Sequence, residues 1–242
     1  MLTVATVSIF ILPYADTASG LVMVMFAGAG IGSLIPDVDA QDAAIFHENI
    51  RGLNGDFGQA VSNALGPLLP VFGYTTKYLI YKPAVFIFDE FLFEDYSFQE
   101  KHRTFSHSFL GVLTMTLITG IYMIPVLIVF QLFAPLYLLA FLFAYAAGAF
   151  LHMLEDSCTK TGIAWNSPFS KTKLKGEIST GKDIKKPRYF LLYLGGLAFA
   201  AFYLGSSDDF AFSDPVITAG TLFIVPLSWL LFMKGTAKVQ KT

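Results

Sequence analysis

Apolar runs close to or beyond bilayer-spanning length recur along this 242-residue chain, and they limit the fold more than any other feature. A spanning helix needs about 20 consecutive apolar residues. Residues 105–133 and 135–154 are the longest such runs, and 20–35, 189–204 and 216–233 are three more. Residues 2–13 are apolar but short, which fits a trimmed or tilted first helix. Only 14% of residues are charged and 55% are hydrophobic, with a mean hydropathy of +0.60. Soluble domains carry about 25% charged residues. The expected fold is an all-α polytopic membrane helix bundle of about six spans, forming a single integral membrane domain over 1–242. With only Cys158, an intrachain disulfide is excluded.

The polar connections differ in kind. Segment 36–104 reads as a cytoplasmic or interfacial insertion with amphipathic helices over 40–100. There Phe and Tyr alternate with Asp89, Glu90, Glu94 and Asp95, a mixture suited to headgroup depth. Segment 157–188 reads as a solvated Lys-rich loop. All sixteen Lys and Arg residues fall in these two segments and in the tail from Lys234 onward. The turns at 14–19, near 134 and at 205–215 contain no Lys or Arg, and the first and last of them carry Asp. Basic loops stay on the cytoplasmic side, so both termini are expected there. Gly28 and Gly32, four apart in an apolar run, predict a close helix approach.

Polar residues cluster where the apolar runs end. Asp37 and Asp39 follow Pro36; His102, Arg103, Ser106, His107 and Ser108 precede the run from 109; His152 and Asp156 close the run from 135. The loop assignment puts all three groups at one interface. The tight turn near 134 predicts antiparallel neighbours on either side of it. His152 and Asp156, one helical turn apart, share a face and can reach one ion. In an extended turn Asp37 and Asp39 would point the same way, whereas in a helix they would diverge. Carboxylates mixed with imidazoles suit zinc first, then manganese or iron, with magnesium less suited; five or six such groups suffice for one or two divalent ions. Each element also has a plain alternative. The aspartates could form a turn and helix cap, His102 and Arg103 could be interfacial anchors, and His152 with Asp156 could be a structural pair. Ionisable groups at a membrane boundary are costly, which favours function when several occur together.

Asp37, Asp39, His107, His152 and Asp156 are therefore the candidate metal ligands. Arg103 is the candidate anion holder and His102 a ligand or proton donor. Ser106, Ser108 and Thr159 are candidate hydroxyls for orienting the ligands. Cys158 reads as a small buried residue, and His47 as a loop or interfacial one. No Walker A loop, dinucleotide fingerprint or HExxH is present.

These motifs resemble the YdjM-like family of inner-membrane, metal-dependent hydrolases. The family pattern is Leu-Leu-Pro-Asp-Ile-Asp, then His-Arg-Gly-x-Thr-His-Ser, then His-x-x-x-Asp-x-x-Thr-x-x-Gly with Trp-Pro after it. Here Leu34 to Asp39, His102 to Ser108 and His152 to Gly162 stand in that order, with Trp165 and Pro168 following. The match in order and spacing covers roughly residues 17–170. The resemblance implies a metal-dependent hydrolase with Asp37, Asp39, His102, His107, His152 and Asp156 as its ligand set. Two positions depart from the pattern: no His lies near the first helix, and Thr104 stands where the family has Gly.

The expected activity is hydrolysis of an ester or phosphoester, lipid-like because of the headgroup depth, at the cytoplasmic face of the inner membrane. Membrane lipids are the expected partners, and no nucleic acid is. A divalent-metal transporter would need polar residues through the spans, and here they gather at one end. A structural or regulatory protein whose motifs only cap helices would hold no metal.

Overall fold

The computed structural model describes residues 1–16, 18–40, 43–47, 59, 62–63, 66–92, 103–179, 182–205 and 215–242. Eight α-helices follow in chain order among them: α1 (Leu2–Ile11), α2 (Ser19–Gly32), α3 (Leu68–Thr75), α4 (Lys82–Ile87), α5 (Phe109–Val129), α6 (Pro135–Ser157), α7 (Lys185–Gly205) and α8 (Pro215–Leu231). Two short strands, β1 (Leu174–Lys175) and β2 (Gln240–Lys241), pair antiparallel. Five segments are long and apolar enough to cross a membrane: Ser19–Asp39, Phe109–Val129, Pro135–Ser157, Lys185–Gly205 and Ala219–Thr236. At 1.5 Å per residue, a 21-residue helix such as α5 covers about 31 Å, the thickness of a hydrocarbon core. The apolar stretch Leu2–Tyr14 is shorter, α1 being extended only by a 3₁₀ turn at Leu12–Tyr14. The protein is thus all-α and polytopic, with five segments of spanning length among the described residues where about six spans were expected.

The chain divides into two compact units. The first comprises Met1–Ser33, Ala134–Ile163 and Thr172–Thr242. Its centre is the contact between α2 and α6, made possible by glycine. A Cβ on Gly32 would collide with the Tyr145 carbonyl, one on Gly28 with that of Phe141, and one on Gly148 with that of Ala29. The expectation drawn from Gly28 and Gly32 therefore holds, and Gly148 on the facing helix completes it. Around α1 the buried residues Ile9, Leu194, Ala198, Val225 and Trp229 form an apolar cluster.

Helix α1 also buries Thr3, Thr6 and Ser8, and each hydroxyl is bonded. Thr6 and Ser8 donate to carbonyls four residues back, at 2.8 and 2.7 Å. Trp229 Nε1–H donates to Thr6 Oγ1 at 3.1 Å. Thr3 donates from both its backbone N–H and its hydroxyl to Glu155 Oε1, at 3.0 and 2.8 Å. The first N–H groups of a helix lack partners within the helix, and a carboxylate there also complements the dipole. Glu155, on α6, thus caps a helix that has no side-chain cap of its own.

The Lys-rich segment is more ordered than a solvated loop. Lys173 and Thr242 exchange backbone hydrogen bonds at 2.9 Å, and Glu177 N–H donates to Ala237 O at 2.8 Å. Ile178 and Ala237 are buried beneath this ladder. The sequence hid the pairing because two-residue strands leave no periodicity to read.

The second unit comprises Leu34–Phe133 and Ala164–Lys171. From Leu68 to Leu92 it is helical throughout, with π-helical turns at Thr76–Tyr81 and Phe88–Leu92. Ala84 and Val85 face inward while Phe86 and Ile87 are exposed, the amphipathic pattern expected for this stretch. The rest of the aromatic–acidic run, residues 93–98, lies outside the described residues. Tyr81 and Phe88 pack on the fully buried Phe105, at centroid distances of 6.3 and 5.2 Å. Helix α5 leaves Leu117, Ile121 and Val129 exposed, as a lipid-facing helix does.

Candidate metal centre

In the second unit, Pro36–Asp39 forms a 3₁₀ turn, with Pro36 supplying the fixed φ of its first residue. Of the two geometries open to the sequence, this is the helical one. With three residues per turn, side chains two apart diverge. Asp37 and Asp39 consequently reach opposite edges of one imidazole. Oδ1 of Asp37 lies 3.6 Å from Nε2 of His107, and Oδ2 of Asp39 lies 4.0 Å from its Nδ1.

The loop carrying His107 is held from several sides. Arg103 adopts a left-handed conformation (φ 64°), which is uncommon outside glycine, and its N–H donates to Asp39 Oδ2 at 2.9 Å. Two residues later Phe105 anchors the loop in the aromatic core. Ser108 caps α5, accepting from Gly111 N–H at 3.0 Å while its hydroxyl donates to Phe105 O at 2.8 Å. The N–H of Phe109 donates to the carbonyl of Trp165 at 2.8 Å. The Trp-Pro end of the third motif therefore supports the helix that begins just after the second.

Ser106 fixes the state of His107. Its hydroxyl is 3.0 Å from Asp39 Oδ2 and 3.1 Å from His107 Nδ1. A carboxylate only accepts, so the single hydroxyl proton goes to Asp39. Toward His107 the hydroxyl oxygen can then only accept, and the ring proton belongs on Nδ1. Nε2 is the edge that faces the Asp37 carboxylate, and in the neutral ring it would carry the lone pair. Oδ1 of Asp37 and Nε2 of His107 face each other at 3.6 Å, beyond hydrogen-bond range, a gap that a cation can bridge. Two ligands of a tetrahedral ion bound at 2.0–2.1 Å stand about 3.4 Å apart, so this edge has the dimensions of a metal site.

In the first unit, His152 and Asp156 share a face of α6, as their spacing predicted. Nε2 of His152 lies 3.8 Å from Oδ2 of Asp156, again longer than a hydrogen bond. Thr159 donates its hydroxyl to the backbone carbonyl of Asp156 at 2.7 Å, securing the helix end rather than the carboxylate. Ser108 likewise serves the backbone, so Ser106 is the one among these three hydroxyls that touches an imidazole. Cys158 is buried, and its thiol is pushed up to about 12, by burial first and then by the Glu155 and Asp156 carboxylates. That agrees with a small packing residue.

Two residues that the sequence did not single out border these groups. Tyr81 is buried, and burial, followed by the charges of Asp39 and Asp89, holds its phenol well above the usual tyrosine range. It is a neutral donor near the Asp39 carboxylate, and nothing in its local sequence marks it. Glu155, read only as an unnamed position between His152 and Asp156, is the α1 cap described above. His47 is exposed. His102 lies outside the described residues.

The family model for YdjM, described as an inner membrane protein, matches residues 1–236. No curated protein and no solved structure matches the chain.

Proposed function

The chain belongs to the YdjM inner membrane protein family, and from that premise we propose that it is a membrane-embedded, metal-dependent hydrolase. Asp37 and His107 would hold a divalent ion, zinc first by donor type, and His152 offers a further imidazole of the same kind. The facing acceptors Asp37 Oδ1 and His107 Nε2, 3.6 Å apart, carry this reading. The mixed imidazole and carboxylate set fits such an ion. Asp156, beside His152, would add a ligand or orient that ring.

A bound divalent ion supplies Lewis acidity, which makes water nucleophilic near neutral pH and polarises a carbonyl or phosphoryl oxygen. The remaining work falls to the chain. Asp39, through Ser106, keeps the His107 lone pair on Nε2. Arg103 would hold the anionic group of the substrate, and His102 would deliver a proton to the leaving oxygen. Polar groups at the ends of apolar helices favour an ester or phosphoester at headgroup depth, hence a lipid-like substrate. The distribution of Lys and Arg supports a cytoplasmic position for the site and both termini.

The test is elemental analysis of the purified protein, followed by a screen of phosphoester and carboxyl-ester lipids. The reading requires a divalent ion near one per chain, removed by His152→Ala, and hydrolysis of one ester class lost in the same variant. Metal at background in the wild type would overturn it. Metal with uptake into vesicles and no hydrolysis would favour a transporter instead.

A further inference from the structure

Away from the carboxylate and imidazole groups, the first unit contains a cleft of about 550 Å³ between the start of α7 and the end of α8. Its wall is aromatic. Phe190 stacks on Phe232 with centroids 4.1 Å apart and planes within 6°, and Tyr189 and Tyr193 continue the lining. Tyr193 and Ser228 hydrogen-bond to each other at 3.0 Å, joining the two helices. The cleft has the volume of a small-molecule site and an apolar lining.

One cation, Lys186, lines the cleft; Lys185 and Arg188 share its helical turn, and Lys234 lies in the π-helical turn Phe232–Thr236. The first turn of α7 has no acidic residue. Cations at a helix N-terminus oppose the dipole, so both contribute positive potential at one point. Among the described residues none of these four cations is ion-paired; the nearby carboxylates Asp183 and Glu177 are engaged with Ser179 N–H and Lys238. An ordinary cytoplasmic loop would explain the charge but not an aromatic cleft opening beside it.

We infer that this cleft is a binding site for an anionic phospholipid, with the phosphate at Lys186 and an acyl chain along Phe190 and Phe232. Charge complementarity selects this occupant over a zwitterionic lipid, and the apolar lining selects a lipid over a free phosphate. The inference does not depend on the metal site.

Trp229 packs edge-on against Phe190 at 5.1 Å and is a built-in reporter. The chain has two tryptophans, so Trp165→Phe leaves Trp229 alone. The full chain with that change is placed in phosphatidylcholine vesicles containing brominated phosphatidylglycerol or brominated phosphatidylcholine, and quenching of Trp229 is read. Brominated phosphatidylglycerol should associate about fivefold more strongly, the effect of roughly one cation at the surface. Lys186→Gln should bring the two lipids to parity, Lys186→Arg should restore the preference, and Ser228→Leu should weaken quenching by both. Rising salt should erode the preference in the parent, a reading that needs no variant. Equal quenching by the two lipids in the parent overturns the inference, as does a preference that survives Lys186→Gln and high salt.

Discussion

Nε2 of His107 and Oδ1 of Asp37 face each other at 3.6 Å, and the hydrogen-bond chain behind the ring places a proton on Nδ1. A buried imidazole and a carboxylate usually meet through a shared proton. Here Ser106 and Asp39 have assigned that proton to the far side of the ring. An ion between the two acceptors resolves the arrangement. His107→Ala or Asp37→Asn should therefore lower bound divalent metal to near background, measured by inductively coupled plasma mass spectrometry on protein with an unchanged helical circular dichroism spectrum. Wild-type metal content in both variants would exclude this edge as a ligand pair.

Ser106→Ala tests the tautomer argument separately from the ligands. The change removes one hydroxyl and no ligand. Losing a group that orients a metal-bound imidazole typically costs 10- to 100-fold in affinity. Metal affinity from competition with a chelator should drop by about that factor. An unchanged affinity would mean that Nε2 is presented without help from Ser106.

Gly32 and Gly30 separate close packing from helix propensity. A methyl on Gly32 runs into the Tyr145 backbone, and one on Gly30 meets nothing within 4 Å. Gly32→Ala should destabilise by about 1–3 kcal/mol or more through overpacking. Gly30→Ala should be neutral or stabilising by up to about 1 kcal/mol. Thermal unfolding in detergent distinguishes them, and equal melting temperatures would contradict the α2–α6 contact.

Glu155→Ala should loosen the amino-terminal helix. It leaves the N–H and hydroxyl of Thr3 without their acceptor, and an unsatisfied buried donor costs about 1–3 kcal/mol. Hydrogen exchange over residues 2–8 should speed up well before exchange in α6 does. Exchange unchanged in that window would show that α1 is held by its apolar contacts alone.

Composition and hydrophobic run length were enough to establish a polytopic helical membrane protein, because a chain in lipid has to satisfy its backbone within helices. Run lengths also marked residues 2–13 as a short apolar stretch beside the longer ones. The spacing of His152 and Asp156 placed them on one face, since that follows from helical geometry alone. Gly28 and Gly32 announced a close contact for the same local reason.

Other features depended on contacts between residues far apart in the chain. Asp39 and Ser106 are 67 positions apart, and their hydrogen bond decides which nitrogen of His107 has the lone pair. The two aspartates appeared equivalent in sequence, and the 3₁₀ turn sends them to opposite edges of one ring. Thr3 and Glu155, 152 positions apart, form a cap that neither local sequence suggests. Nor could the Lys-rich segment show its pairing with the tail. Run length, charge and helical spacing are local properties that a sequence states directly. The tautomer, the cap and the ladder depend on which distant polar groups meet, and only tertiary structure fixes those pairs.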